Sequence, residues 1–358
     1  MTWRETLVSL PIRRLGPFIR TLLPLTTLLL IAAFPVDTSW AQTKVLRVGI
    51  LNPNDEPDDE MRAWLYGMHF FQTLAEHGWV EGKNVMFEYR HVKDGPTPFA
   101  EPAAELVQLK VDVLYVAAAP SVRAVLAATQ DIPIVAHDLV SDPVAEGFVR
   151  SYSHPGGHLT GVFLDAPDFA SKWIELLKAM IPRLSRVVVF WDPTSGRAAL
   201  DAIRNAALAQ GIKLQVLETR TPADIDKAPS GFRGHPQALI VLPSTMLYDE
   251  NVHLAKFAAK HRLPGTSMFV EFADAGGLLA YGPNLAATVE QCAVLLAKVL
   301  DGAKPSDLPI ERPLKFELVL NVKTAKALHL TVPDTILLRA DRVAKPGSVA
   351  PARPSAPN

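Results

Sequence analysis

Thiol chemistry is nearly absent from this chain: Cys292 is the single cysteine in 358 residues. No internal disulfide can form, so an exported or globular version of the chain must be held by its hydrophobic cores. Charge of one sign is lacking too. Lys and Arg total 36 against 37 Asp and Glu, the formal net charge is -1, and no basic run exceeds the pair Arg13-Arg14. Such a balance gives no global field toward nucleic acid or an acidic membrane surface. Sequence signatures of catalysis are missing as well. The segment after the first apolar strand reads GILNPNDEP, with no G-x-G-x-x-G, and there is no G-x-x-x-x-G-K-[ST] or G-x-S-x-G. The histidines show no H-E-x-x-H or H-x-x-E-H spacing. The expectation is a protein without cofactor, metal or catalytic residue.

A long apolar run occurs at the N-terminus, TLLPLTTLLLIAAF (21–34), and is short of the roughly 20 residues of a membrane span. Arg4, Arg13, Arg14 and Arg20 precede it, and Ser39 and Ala41 stand at the -3 and -1 positions of a cleavage site. This pattern predicts an export signal over 1–41, removed near Ala41, and a periplasmic mature protein. The tail 345–358, rich in Pro, Ala and Ser, is expected to be disordered.

What the chain has is 49% hydrophobic composition arranged in a strict alternation. Apolar strands read VLRVGIL (45–51), NVMFEYR (84–90), VDVLYVAAA (111–119) and IPIVAHD (132–138). Helical periodicities over 59–77, 98–109 and 121–129 separate them. A second series runs LTGVFL (159–164), RVVVFW (186–191), KLQVLET (213–219), QALIVLP (237–243) and TSMFVEF (266–272), again with helices between. GLLAYG (277–282) and a strong helix at 285–300 follow. Alternating βα units of this kind form mostly parallel sheets covered on both faces. The reading is α/β, with two doubly wound Rossmann-like lobes: 45–158 plus 284–340 as lobe I, and 159–283 as lobe II. SYSHPGGHLTGVF (151–163) is read as the first crossing between them, with Gly156, Gly157 and Gly161, and later Gly282, as hinge glycines. His154 and His158 in that stretch read as exposed turn histidines.

In open α/β sheets ligands bind beyond the carboxyl ends of the strands. Candidate ligand-binding residues are therefore those at strand ends: Asn52, Pro120, Ser121, Asp138, Trp191, Asp192, Ser244, Phe269 and Glu271. Ser121 has two readings, a helix cap or a hydroxyl beside free backbone N–H groups that hold an anionic end. Asp138, Asp192 or Glu271 would meet a cationic end, and Trp191 and Phe269 would form an apolar wall.

Several stretches carry a family likeness. They include LAEHGWVEGKNVMFEYR, AAELVQLKVDVLYVAAAPSVRA, DPVAEGFVRSYSHPGGHLTGV, LLKAMIPRLSRVVVFWDP and FELVLNVKTAKALHLTVPDTILLRAD. The chain resembles ABC transporter substrate-binding proteins of the tryptophan- and tyrosine-binding type. It departs from them at Ala117-Ala118-Ala119-Pro120, where similar sequences carry Gly-Gly-Thr/Ser-Pro, and at His158, where they often carry asparagine. The resemblance implies a type I periplasmic-binding fold with three crossings, a small-molecule ligand trapped by hinge closure, and delivery to an ABC permease and ATPase by a monomeric carrier. A ligand-sensing module reporting to a membrane receptor is the alternative.

Overall fold

The computed structural model describes residues 44–52, 58–92, 98–164 and 167–344, without the side chains of 52, 58, 167 and 168. The expected export signal and the 345–358 tail lie outside these residues. The first series contains β1 (Leu46–Asn52), α1 (Asp58–Gly67), α2 (Phe70–Glu76), β2 (Val85–His91), α3 (Ala100–Gln108), β3 (Val113–Ala117), α4 (Ala119–Ala128), β4 (Ile134–Asp138) and β5 (Leu159–Phe163). The second begins with α5 (Pro167–Met180), β6 (Arg186–Trp191), α6 (Ala198–Ala209), β7 (Lys213–Glu218), α7 (Pro222–Lys227) and β8 (Ala238–Val241). It continues through α8 (Thr245–Asp249), α9 (Asn251–Lys260), β9 (Gly265–Ser267), α10 (Val270–Asp274) and β10 (Leu279–Pro283). The closing elements are α11 (Leu285–Leu300), β11 (Phe316–Leu320), α12 (Val322–Ala327), α13 (Asp334–Leu337) and β12 (Arg342–Val343).

Two sheets result, one ordered β2-β1-β3-β4-β5 and one ordered β12-β11-β10-β9-β8-β6-β7. All their strand pairs are parallel except β10–β11. Each sheet is the middle of three layers. In β6, Val187, Val189 and Trp191 face the apolar sides of α5 and α6, while Val188 and Phe190 face α9 and Phe272. Both faces of the strand are dry, which is why RVVVFW has no polar alternation. The first sheet is built alike, with Phe70, Leu74 and the α11 row Val289–Leu296 on one face and Leu106, Val122 and Val125 on the other.

Two lobe assignments are corrected by the pairing. β5 does not open the second lobe: it hydrogen-bonds parallel to β4, with Ile134 opposite Leu159 and Asp138 opposite Phe163. Gly161 permits this close approach, since a Cβ there would overlap the Ala136 carbonyl. Gly156 and Gly157 accordingly turn the chain within the first lobe, and the crossing comes after Leu164. The closing segment is not in the first lobe either. β11 pairs antiparallel with β10, and β12 extends the same second sheet. The chain passes between the sheets after Leu164, at 283–285 and at 311–316, which makes three crossings among the described residues.

The continuous helix expected over 59–77 is two helices, broken where His69 takes a left-handed backbone with φ 59°. The TSMFVEF strand stops at Ser267, because the Ser267 hydroxyl accepts the Phe269 N–H at 3.2 Å and turns the chain into α10.

Candidate functional site

The carboxyl ends of β3 and β4 face those of β6, β8 and β9 across a cavity of about 130 Å³. The first sheet contributes Ala117–Pro120, which lead into α4, and His137–Ser141, which follow β4. The second contributes Thr194 and Ser195 after β6, Ser244, Thr245 and Tyr248 after β8, and Phe269 after β9. Met61 and Trp64 of α1 and Leu285 of α11 complete an apolar side.

Asp138 is the chemical centre of this wall. It is 2% exposed, its Oδ1 accepts the Val140 N–H at 3.0 Å, and its Oδ2 has no hydrogen-bond partner. Burial pushes its carboxyl up from 3.8 to about 6, against weaker pulls from Ser141, the Val140 N–H and the Arg123 charge. Its neighbour His137 is buried, accepts or donates at 3.1 Å to the Tyr115 hydroxyl, and is pushed down by burial to about 4. The imidazole is therefore neutral near pH 7. Among the described residues that line the cavity, Asp138 is the one carboxylate, and none is Lys or Arg.

The start of α4 lies beside it. Ala118 precedes the helix with φ 66° and ψ 147°, and offers no side-chain cap. Among the described residues four other non-glycine residues have positive φ: Lys110, Arg262 and His329 stand just beyond a helix C-terminus, where a left-handed residue is ordinary, and His69 links α1 to α2 with φ 59° and ψ 17°, in the same left-handed helical region. Ala118 is different: its ψ of 147° takes it out of the left-handed helical region, at the cavity wall, into a part of the backbone map suited to glycine, where a side chain costs roughly 1–3 kcal/mol. Its geometry is fixed by its N–H donating to the His137 carbonyl at 2.9 Å and its carbonyl accepting from Val122 at 3.1 Å. Ser121, fully buried, does not cap α4, and its hydroxyl has no hydrogen-bond partner. Of the two readings for this serine, the cap is ruled out.

The remaining sequence candidates divide. Pro120, Asp138, Ser244 and Phe269 line the cavity together. Ser244 also caps α8, accepting the Leu247 N–H at 3.0 Å. Trp191 does not line it: its ring packs in the core of the second sheet and its Nε1 donates to the Gly196 carbonyl at 2.9 Å. Asp192 accepts from the Thr194 N–H and hydroxyl at 2.9 and 2.8 Å, so it shapes the 193–195 turn while Thr194 and Ser195 form the wall. Glu271 is half-buried and does not line the cavity, is reached by the Tyr248 hydroxyl at 3.3 Å, and loses solvation enough to raise its carboxyl. Asn52 ends β1, and its side chain is outside the described ones. Of the four expected hinge glycines, Gly282 stands next to a crossing, and a Cβ on it would overlap the Met268 carbonyl.

Sequence reasoning missed Trp64, Thr194, Tyr248 and His137. The last three follow or end strands and were within reach of the strand-end rule. Trp64 comes from a helix that the rule does not address. Its ring reaches the cavity because α1 lies over the end of the first sheet.

Similar proteins share this architecture. A curated tyrosine-binding protein of Clostridioides difficile is 24% identical over 265 residues, covering 73% of this chain and 75% of that one. A conserved domain protein of Vibrio cholerae superposes with a TM-score of 0.75 at 24% identity, over 84% of this chain and 100% of its own. A domain from Streptococcus pneumoniae in complex with L-Trp does so with a TM-score of 0.74 at 20% identity, over 83% and 99%. The fold is that of type I periplasmic binding proteins, two α/β lobes with three crossings. Residues 59–344 match the family described as ABC transporter substrate binding protein, whose members bind substrates and are not enzymes. With the match spanning both sheets and the cavity between them, the chain belongs to the ABC transporter substrate-binding protein family.

Proposed function

We propose that this chain is the capture subunit of an ABC importer outside the cytoplasm, and that its ligand is an amino acid with an apolar, aromatic side chain. One observation carries the ligand class: the unpartnered Asp138 Oδ2 in a cavity otherwise walled by rings, aliphatic side chains and hydroxyls. An ammonium pairs with that oxygen, restoring a hydrogen bond that burial otherwise withholds. The ring lies among Trp64, Tyr248 and Phe269. The ligand carboxylate meets the first N–H groups of α4, and the Ser244 hydroxyl across the cleft, which accepts from Leu247 and keeps its own O–H to donate. The names of the tyrosine-binding and L-Trp-bound relatives support the same class.

The mechanism is a population shift. A ligand that touches both sheets has higher affinity for the closed arrangement, and the crossings at 283–285 and 311–316 bend to allow it. The N-terminal basic and apolar pattern supports export, and among the described residues no helix is long and apolar enough to cross a membrane. Isothermal titration of the purified protein with the twenty L-amino acids tests the reading, paired with small-angle scattering. Saturable binding of an aromatic amino acid with a smaller radius of gyration is expected. No binding by any of the twenty overturns it.

A further inference from the structure

The cleft has an unequal charge balance. A zwitterion brings one positive and one negative group, yet among the described residues lining the cavity a single side chain is charged, Asp138. Its buried Oδ2 has no partner, so a cation is what the site lacks. His137 supplies no compensating charge, being buried, bonded to Tyr115 and neutral near pH 7. Arg123 of α4 is spoken for, with its guanidinium on Glu146 at 2.8 Å. Among the described residues, a ligand carboxylate meets only neutral donors: backbone N–H groups at the start of α4, and the Ser244 hydroxyl of the second sheet.

We propose that the cleft recognises an arylalkyl ammonium, with the positive charge obligatory and the carboxylate dispensable, so that primary arylalkyl amines are ligands alongside the amino acids. This rests on the amino-acid reading of the same cleft, and extends it to ligands that reading does not include. An amine neutralises Asp138 and leaves the described lining of the closed cleft without net charge. A zwitterion leaves one negative charge, held by the α4 dipole and neutral donors. A ring-bearing acid without the amine places a second anion beside a buried carboxylate and leaves Oδ2 unpaired, the costliest of the three arrangements.

The test is a matched set of three ligands for each ring, titrated calorimetrically at pH 7.5: L-tyrosine, tyramine and hydroxyphenylpropionate, then L-tryptophan, tryptamine and indolepropionate. For the preferred ring, the amine is expected to bind within about tenfold of the amino acid, and the acid at least about a hundredfold more weakly. In Asp138→Asn the advantage of amine over acid should disappear, and circular dichroism shows whether that variant is folded. If it is not, the wild-type set decides alone. An amine more than tenfold weaker than its amino acid, or an acid within tenfold of it, overturns this inference and leaves the amino-acid reading standing. No binding by any of the six overturns both. Binding of the amine alone supports the inference and sinks the amino-acid reading.

Discussion

The two walls of the cleft are made in different ways from the same kind of supersecondary unit. On the first sheet the wall is backbone and charge: the strained Ala118 turn, the start of α4, and the buried carboxyl of Asp138. On the second it is side chains: hydroxyls of Thr194, Ser195 and Ser244, and the rings of Tyr248 and Phe269, which meet edge to face at 4.8 Å. Charge and strain need a rigid frame, because a displaced buried carboxyl loses its hydrogen bonds at full desolvation cost. The first wall has that frame in the lattice joining Ala118, His137, Tyr115 and Val140. Rings and hydroxyls tolerate small displacements, as the closure proposed above requires of the second wall. Under the proposed function the first wall reads charge and the second reads shape.

The largest effect that would break this comparison comes from the frame. Gly161→Ala places a Cβ against the Ala136 carbonyl and should force β5 from β4, costing about 3–5 kcal/mol in chemical denaturation. Gly157→Ala, whose Cβ meets open space, should change stability by no more than about 0.5 kcal/mol. Equal effects would show that the β4–β5 contact is not part of the rigid frame.

Asp138 gives the next. Its folded-state carboxyl sits near 6 against an ordinary 3.8, so the stability it confers is complete below 3.8 and is lost as pH rises through 6. Asp138→Asn removes that loss and should raise unfolding free energy at pH 7.5 by up to about 3 kcal/mol, while weakening amine binding about a hundredfold. His137 has the opposite sign: its value near 4 stabilises the fold above 6.5, and that contribution is lost as pH falls through 4. Between pH 6 and 4 the two oppose each other, so urea titrations should show a nearly flat wild type and an acid-sensitive Asp138→Asn. Affinity for an amine should level off well above pH 6 and weaken as pH falls through 6 and the carboxylate takes up a proton.

A smaller effect is expected on the second wall. Phe269→Ala should weaken aromatic ligands about tenfold in calorimetry and leave the ranking of amine over acid intact. A changed ranking would mean that the second wall reads charge as well. The smallest is Ala118→Gly. It relieves the backbone and adds unfolded-state entropy, so a net stabilisation of about 1 kcal/mol is expected from thermal unfolding. A loss of stability there would show that the Ala118 conformation is not strained.

Much of this fold was legible in residue order. Strand β6 coincides with RVVVFW and helix α11 with 285–300, because a doubly covered strand and an amphipathic helix each leave a local hydropathy period. The cleft was half legible. Asp138, Ser244 and Phe269 were found because strand ends converge on it, whereas Trp191 and Asp192 obey the same rule and fall into core and turn. Whether a side chain at a strand end points to ligand or to its own sheet depends on one residue of register, which hydropathy does not encode.

The sequence by itself determined that the chain builds two parallel, doubly wound sheets, since alternation and apolar runs are local properties. Tertiary structure decided which sheet claimed β5 and β11. Both strands are apolar enough for either sheet, and the choice was made by long-range partners: the Ala136 carbonyl against Gly161, and the antiparallel ladder of β10. It also decided that one oxygen of Asp138 would be buried in the cleft without a partner, a property of the space around the residue and not of its neighbours in the chain.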